Sequence, residues 1–501
     1  MAGNLLLFIT IWLLQKYDRI QMDQVLFQIK SPASGANTDL LNSFVFRGVF
    51  LGAVAGTAEI FLYRFLAGYY KKHAQKSAKY REYTKGKFCR FVRKSAMPLT
   101  LCLLIVAVSL FVSKLELVQY IEVSNTQSDF IEENYVDPLK AHLTFPKQKR
   151  NLIYIFLESM ENTYTQTAYG GEMKQDYIPE LRNLAEKNIN FSNTEKLGGA
   201  RSFTGTTWTA AAMVAQTSGI SVKVPLTAAT YGGQNSFIPG TVSIGEVLEK
   251  EGYNQCLLLG SDAAFAGRDS YFTEHGHYDI VDINRLKQQG RLPEDYYVWW
   301  GYEDSKLFGF AKEELTRLSG EGKPFNFTML TADTHFPDGY FCENCRSDYD
   351  SQYANVLACS SRQVAAFVEW IQQQPFYENT TVIICGDHLT MDPKFLSGSD
   401  VQYVRTTYNC IINSPVQPVR EKNRQFGSFD FFPTTLAALG VQIEGDRLGL
   451  GTNLFSDRET FCEQYGFEEL DLELQKKSRY YNTRFLRMTE SQESQSDGSS
   501  R

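Results

Sequence analysis

Residues 381–388 read TVIICGDH: a short apolar run fit for a buried strand, then glycine, then an acid beside a histidine. Three further runs end in a similar way. NLIYIFL (151–157) runs into Glu158, QCLLLG (255–260) into Ser261 and Asp262, and FNFTML (325–330) into TADTH, which closes on His335. Between 150 and 455 such β-branched and apolar runs alternate with helix-length segments, which predicts an α/β domain with a mainly parallel central sheet. In open sheets of this kind, sites form beyond the carboxyl ends of the strands. Taken singly, Glu158 reads as an ordinary loop residue and His335, in THFPDG, as a turn histidine. Together the four strand ends define one rim. An Asp–His pair on one turn offers hard and borderline ligands to a divalent ion, and two of only six histidines fall at strand ends. Glu158, Asp387 and His388 are therefore candidate metal ligands.

A second stretch supplies a partner for that metal. GGARSFTGTTWTAAAM (198–213) crowds hydroxyls before an Ala-rich, helix-favouring run. Ser and Thr there serve as N-caps in the ordinary case. A hydroxyl bound to a divalent ion also loses its proton more readily and becomes a nucleophile, and a helix N-terminus favours an incoming anion. Gly205 permits a tight turn, so the helix is expected to begin at Thr206, the candidate nucleophile and fourth metal ligand. Thr204, Thr207 and Ser202 are the alternatives.

The chain of 501 residues is 43% hydrophobic, 21% charged and 14% aromatic, which excludes wholesale disorder. Its net charge of −7 is unevenly spread: residues 71–94 hold ten Lys or Arg against the single acid Glu82. Apolar runs flank that stretch at 44–70, interrupted by Arg47, Glu59 and Arg64, and at 95–113; a shorter one spans 2–15. About 20 apolar residues cross a bilayer. The first 117 residues are thus expected to hold three membrane helices. The basic loop, short and flush with two of them, faces the cytoplasm, and everything after about residue 114 lies outside. This placement turns the basic run away from nucleic acid. Residues 2–15 lack the basic start and cleavage site of a secretory signal. A linker is expected at 118–149, the α/β domain at 150–455, and a helical segment with a disordered tail at 456–501. Of nine cysteines, Cys342, Cys345 and Cys359 cluster in FCENCRSDYDSQYANVLACSS. A zinc site competes there with a disulfide, and an oxidising exterior favours the disulfide. Cys89 and Cys102 fall in or beside the membrane, and Cys256 and Cys385 in apolar runs.

Strand–Glu in IYIFLESMENTY, the GTTWTAAAMVAQTSG turn, FAGRD, THFPDG and GDH together resemble the alkaline-phosphatase/sulfatase superfamily. Within it, with FDFFPTTLAALG and DRLGLGTNLFS, they resemble the lipoteichoic acid synthase and periplasmic-glucan phosphoglycerol transferase branch. The resemblance implies a bacterial cell-membrane enzyme with an extracytoplasmic catalytic domain. It implies one divalent metal, Mn2+ first and Zn2+ or Mg2+ as alternatives, held by Glu158, Asp387, His388 and a nucleophilic threonine that matches Thr206. Arg268 would contact the substrate phosphate, and His335 would do so or carry the proton. Phosphatidylglycerol would donate glycerophosphate to a cell-envelope glycan or glycolipid through a phospho-threonine. The alternatives are a phosphoethanolamine transferase using the same site and a catalytically silent scaffold. Polymerase members carry Trp where Ala266 stands and a further histidine upstream of Arg268, which points away from polymerisation. The turn also lacks the C/S-x-P/A-x-R pattern of a sulfatase nucleophile.

Overall fold

The computed structural model describes the chain apart from residues 18–19, 32–34, 36–37, 75–86, 225–235, 398–399, 401 and 488–501. The middle of the basic loop and the polar tail therefore lie outside the described residues. The chain divides into two compact units, Met1–Met22 with Asn37–Ile121, and Asp23–Ala36 with Glu122–Arg501.

In the first unit, helices α1 (Ala2–Lys16), α2 (Leu51–Ala74) and α3 (Lys87–Lys114) pack on one another. Among the described residues one stretch, Thr38–Leu66, is long and apolar enough to cross a membrane, at a mean hydropathy of 1.6. A second qualifies only if Pro98–Lys114 and Leu117–Ser124, bent by 55° at their junction, count as one span. At 15 residues α1 is about 22 Å long, short of the ~30 Å hydrocarbon core. The expectation of three spans thus becomes one, or two with the bent pair. The acid that weakened the reading of 44–70 has partners: Glu59 accepts from Asn4 Nδ2 at 2.7 Å and from the Thr100 hydroxyl at 2.8 Å. Phe61, Leu62, Leu99 and Leu101 meanwhile stay exposed on these helices.

The second unit is built on a six-stranded sheet. Its strands are β1 (Asn151–Leu157), β2 (Asn254–Leu259), β3 (Asp279–Val281), β4 (Phe325–Leu330), β5 (Thr380–Gly386) and β6 (Asn409–Ile412), in the order β3-β2-β4-β1-β5-β6. All neighbours run parallel except β5 and β6. Every residue of β1, β4 and β5 is buried, the signature of strands covered by helices on both faces. Helices α4 (Thr209–Ser218), α5 (Arg268–Glu274), α6 (Asp304–Ser319) and α7 (Gln352–Gln372) supply part of that cover.

Residues expected as a linker fold onto this unit. Leu143–Thr144 pair antiparallel with Gln442–Ile443, and Val136 N–H donates to Gly449 O at 2.9 Å. Helix Phe467–Gln475 also belongs here, with Asp471 accepting from the Thr204 N–H at 2.6 Å and its hydroxyl at 3.1 Å. Cys256 and Cys385 are buried in β2 and β5, whereas Cys342, Cys345 and Cys359 converge as three thiols.

Beside the carboxyl rim, Glu161 is fully buried and bound twice by Arg405, at 2.9 and 2.7 Å, while the Thr390 N–H donates to it at 3.0 Å. This knot joins the turn after β1 to the loop after β5. Removing one member of such a pair strands a buried charge, so Arg405→Ala is expected to lower unfolding free energy by about 3 kcal/mol, read by thermal or urea denaturation of the purified protein. Glu161→Gln with Arg405→Gln should recover part of that loss.

Candidate active site

Leu157 of β1 lies opposite Gly386 of β5, so Glu158 and Asp387 leave the sheet side by side, on strands about 4.8 Å apart. Ser159, at φ 53, turns the chain sharply after Glu158, a strained conformation that persists only where its surroundings enforce it. Its N–H thereby reaches Asp387 Oδ1 at 2.8 Å and its hydroxyl Glu158 Oε1 at 2.7 Å. The His388 N–H donates to the same Asp387 Oδ1 at 2.7 Å. Asp387 Oδ2 is left buried with no hydrogen-bond donor, 3.5 Å from His388 Nε2, which is also 3.5 Å from Glu158 Oε1. His388 Nδ1 lies 2.8 Å from the Leu389 carbonyl. A carbonyl only accepts, so Nδ1 carries the proton and Nε2 offers its lone pair to the cluster.

One ligand atom from each of Glu158, Asp387 and His388 lies within 4.8 Å of the other two, and all three residues are buried. Two buried carboxylates without a cation are costly. An undonated carboxylate oxygen, a second carboxylate and an imidazole lone pair fit a divalent ion of hard or borderline character.

The hydroxyl that joins them is Thr209. Its Oγ1 lies 3.2 Å from Glu158 Oε2 and 3.3 Å from His388 Nε2. Thr209 is the first residue of α4, after the extended N-cap Trp208. The helix is moored to the rim by Gln216, whose amide donates to Gly386 O at 3.2 Å and accepts from the Tyr154 hydroxyl at 2.8 Å. The opening N–H groups of a helix have no acceptor within it, so the end that carries Thr209 also carries positive potential.

Arg268 opens α5 and is buried, at 6% exposure. Its guanidinium donates to Phe265 O, Ser261 Oγ and Asp262 O at 3.1, 3.1 and 2.8 Å. Among the described residues no carboxylate pairs with it, the Asp262 contact being to the main chain. His335 stacks near Trp300, with ring centroids 4.5 Å apart, and its Nδ1 lies 2.6 Å from the Phe336 carbonyl. By the same argument as for His388, its Nε2 is unprotonated in the neutral ring.

Burial and charge pull these groups apart. Burial, then the neighbouring Glu158, pushes Asp387 up to about 7. Burial alone would raise Glu158, but His335 and His388 overcome it and hold the carboxyl below its ordinary value. For His388, burial is outweighed by Asp387 and Glu158, which raise it. Burial lowers His335 against the attraction of Glu158. It also lowers Arg268 to about 10, so the guanidinium stays charged at neutral pH.

Residues 150–441 match the family model described as Sulfatase. The chain belongs to the sulfatase family. Phosphoglycerol transferase I of Escherichia coli, and of Shigella boydii, is 32% identical over 275 residues, which cover 53% of this chain and 34% of the relative. The chain thus spans about a third of the length of the curated relatives it matches. Among solved structures it is similar to the lipoteichoic acid synthase LtaP from Listeria monocytogenes, at 18% identity and a TM-score of 0.48, over 65% of this chain and 80% of that one. It is also similar to lipooligosaccharide phosphoethanolamine transferase A from Neisseria meningitidis, at 14% identity and a TM-score of 0.48, over 88% and 84% of the two chains.

In this sulfatase-family chain the residues singled out from sequence do not all meet. Glu158, Asp387 and His388 form the cluster, and Arg268 and His335 lie within charge range of Glu158. Thr206 does not join them. Its hydroxyl donates to the Phe203 carbonyl at 2.8 Å, closing the turn that Gly205 makes at φ 76. Thr204 is engaged with Asp471. The helix begins three residues later than expected, so the hydroxyl on its first turn is Thr209, which sequence reasoning passed over. The signal was present: the Ala-rich run starts after Thr209, and an aromatic N-cap separates it from the turn.

Metal analysis of the purified protein checks the donor set. Glu158→Gln and Asp387→Asn are each expected to weaken divalent-ion binding by about 100-fold or more, beyond the roughly 10–100-fold typical of outer-shell partners. Thr206→Ala should retain the metal, since that hydroxyl serves only a turn.

Proposed function

We propose that this chain is a membrane-anchored phosphotransferase that moves glycerophosphate from phosphatidylglycerol to a glycan or glycolipid of the bacterial envelope, with Thr209 as the nucleophile in place of Thr206. The observation that carries the proposal is the pairing of Thr209 Oγ1 with Glu158 and His388, in charge range of an Arg268 that lacks a carboxylate partner. A buried guanidinium needs an anion. A phosphodiester held by it and by the positive end of α4 meets the Thr209 hydroxyl.

Glu158, Asp387 and His388 would hold one divalent ion, which supplies an acidified Thr209 hydroxyl and neutralised phosphate charge. Mn2+, Zn2+ and Mg2+ all suit that donor set. Thr209 Oγ attacks phosphorus, the bond to the diacylglycerol oxygen breaks, and that oxygen takes a proton as diacylglycerol leaves. An anionic phosphate beside His335 raises the histidine's pKa, so Nε2 gains the proton it then gives to the leaving oxygen. In the second half an acceptor hydroxyl attacks the phospho-threonine, passes its proton to Nε2 and frees Thr209. Positioning and electrostatics carry most of such a transfer. The apolar helix at 38–66 would tether the domain to the membrane in which the donor resides, and the basic run at 71–94, read as cytoplasmic, supports a catalytic domain outside the cell.

The name of the relatives favours glycerophosphate; the same site would serve phosphatidylethanolamine. Intact-protein and peptide mass spectrometry after exposure to each lipid decides between them. A glycerophosphate adduct on the 201–213 peptide is expected with phosphatidylglycerol, present in Thr206→Ala and absent in Thr209→Ala. Arg268→Ala should slow its formation by about 100–1,000-fold. An adduct from phosphatidylethanolamine alone would reassign the donor, and an adduct on Thr206 would overturn the choice of nucleophile.

A further inference from the structure

Outside the catalytic cluster, the described residues hold one other group of potential ligands within 4.8 Å of one another: the sulfurs of Cys342, Cys345 and Cys359. Cys342 Sγ lies 3.6 Å from Cys345 Sγ and 3.8 Å from Cys359 Sγ. Zinc binds thiolate at about 2.3 Å in a tetrahedron, which sets sulfur–sulfur edges at roughly 3.8 Å. The two measured separations are therefore edges that a single tetrahedral ion accommodates.

Polar groups of the turn and of α7 face the three sulfurs. Cys342 and Cys345 bracket a turn closed by Cys345 N–H on Cys342 O at 3.0 Å. From α7, Gln363 Nε2 lies 3.4 Å from Cys359 Sγ and 4.0 Å from Cys342 Sγ. Arg362, on the same helix, is in charge range of Cys359 and keeps its Nη2 buried without a hydrogen-bond partner. Three thiolates and one divalent ion leave one net negative charge; the Arg362 guanidinium, whose Nη1 lies 4.0 Å from Asp348, is shared between that carboxylate and the sulfurs.

We propose that Cys342, Cys345 and Cys359 form a second metal site, a tri-thiolate centre for Zn2+, separate from the one at Glu158. The ion would staple the segment that runs from β4 through His335 to Cys345 onto α7, which carries Cys359. A disulfide uses only two of the three sulfurs and leaves Gln363 donating to neutral sulfur, so it accounts for less of the arrangement.

The test uses the full chain in detergent, purified anaerobically without chelator or reductant. In a Glu158→Gln background, elemental analysis should find one zinc per chain, lost in Cys359→Ser and in Cys345→Ser, and released by a mercurial that titrates thiols. Cobalt substitution should give thiolate-to-cobalt charge-transfer bands in wild type and in Glu158→Gln, absent in Cys359→Ser. Cys345 is only half-buried, so its serine variant is the one expected to fold, as checked by circular dichroism. Zinc content unchanged in the folded Cys345→Ser chain overturns the proposal. So does a peptide map that finds Cys342 disulfide-bonded to Cys345 or Cys359. Neither readout depends on transferase activity, so failure here and failure of the Thr209 reading are distinct results.

Discussion

The structure turns on the pairing of Leu157 with Gly386 across two parallel strands. That register delivers the next residue of each strand, Glu158 and Asp387, to the same point on the rim, and both are buried there. A one-residue slip would send one carboxylate to the other face. Two adjacent carboxylates in a low-dielectric setting repel, which is why burial and Glu158 together push Asp387 up to about 7. Donation relieves the conflict only in part: Asp387 Oδ1 takes two N–H groups, and Oδ2 takes none. The fold has built a place that is stable when a cation occupies it.

Around that place, charge of the opposite sense is arranged at a distance. Arg268 is held by carbonyls and a hydroxyl rather than by an acid, so its charge is left for something that enters. The start of α4 adds a fixed positive end. A phosphodiester is an anion with an electrophilic centre, and the proposed nucleophile, the cation-binding cluster and a guanidinium that no carboxylate bridges among the described residues would suit it. The family resemblance alone would not establish this, since one fold hosts many activities and the site decides.

Much of this could be read from sequence. Strands that end in Glu, Asp-His and a histidine-bearing turn announce a rim, because buried parallel strands are continuous apolar runs and the polar residue that breaks each run lies just beyond the sheet. The nucleophile was harder. Gly205 at φ 76 makes a tight turn before the helix, so Thr206 is spent closing it and Thr209 becomes the first helical residue. Helix boundaries are set by such local hydrogen bonds, which composition does not reveal. The membrane part was legible only in part, for a different reason. Arg47 and Glu59 weakened the run at 44–70, yet Glu59 finds Asn4 and Thr100 on two other helices. Those are long-range partners that hydropathy along one segment cannot register. The stretch 118–149 reads as a linker because it is polar; within it, short pairings such as Leu143 with Ile443 fold the chain down.

The placement of His335 ties these threads together. It follows β4, whose last residue Leu330 pairs with Phe156, so its backbone origin is set by the same sheet as Glu158. Thr331 and Thr334 then clasp Glu158 directly, through a hydroxyl to its N–H at 3.0 Å and another to its carbonyl at 2.6 Å. In the proposed role His335 would need its free nitrogen fixed in direction. The Phe336 carbonyl takes the other nitrogen, and Trp300 packs against the ring. Burial keeps the ring neutral until an anion arrives. Under the proposed transfer, proton donation would be coupled to occupancy: His335 would become charged only once an anionic phosphate lay beside it.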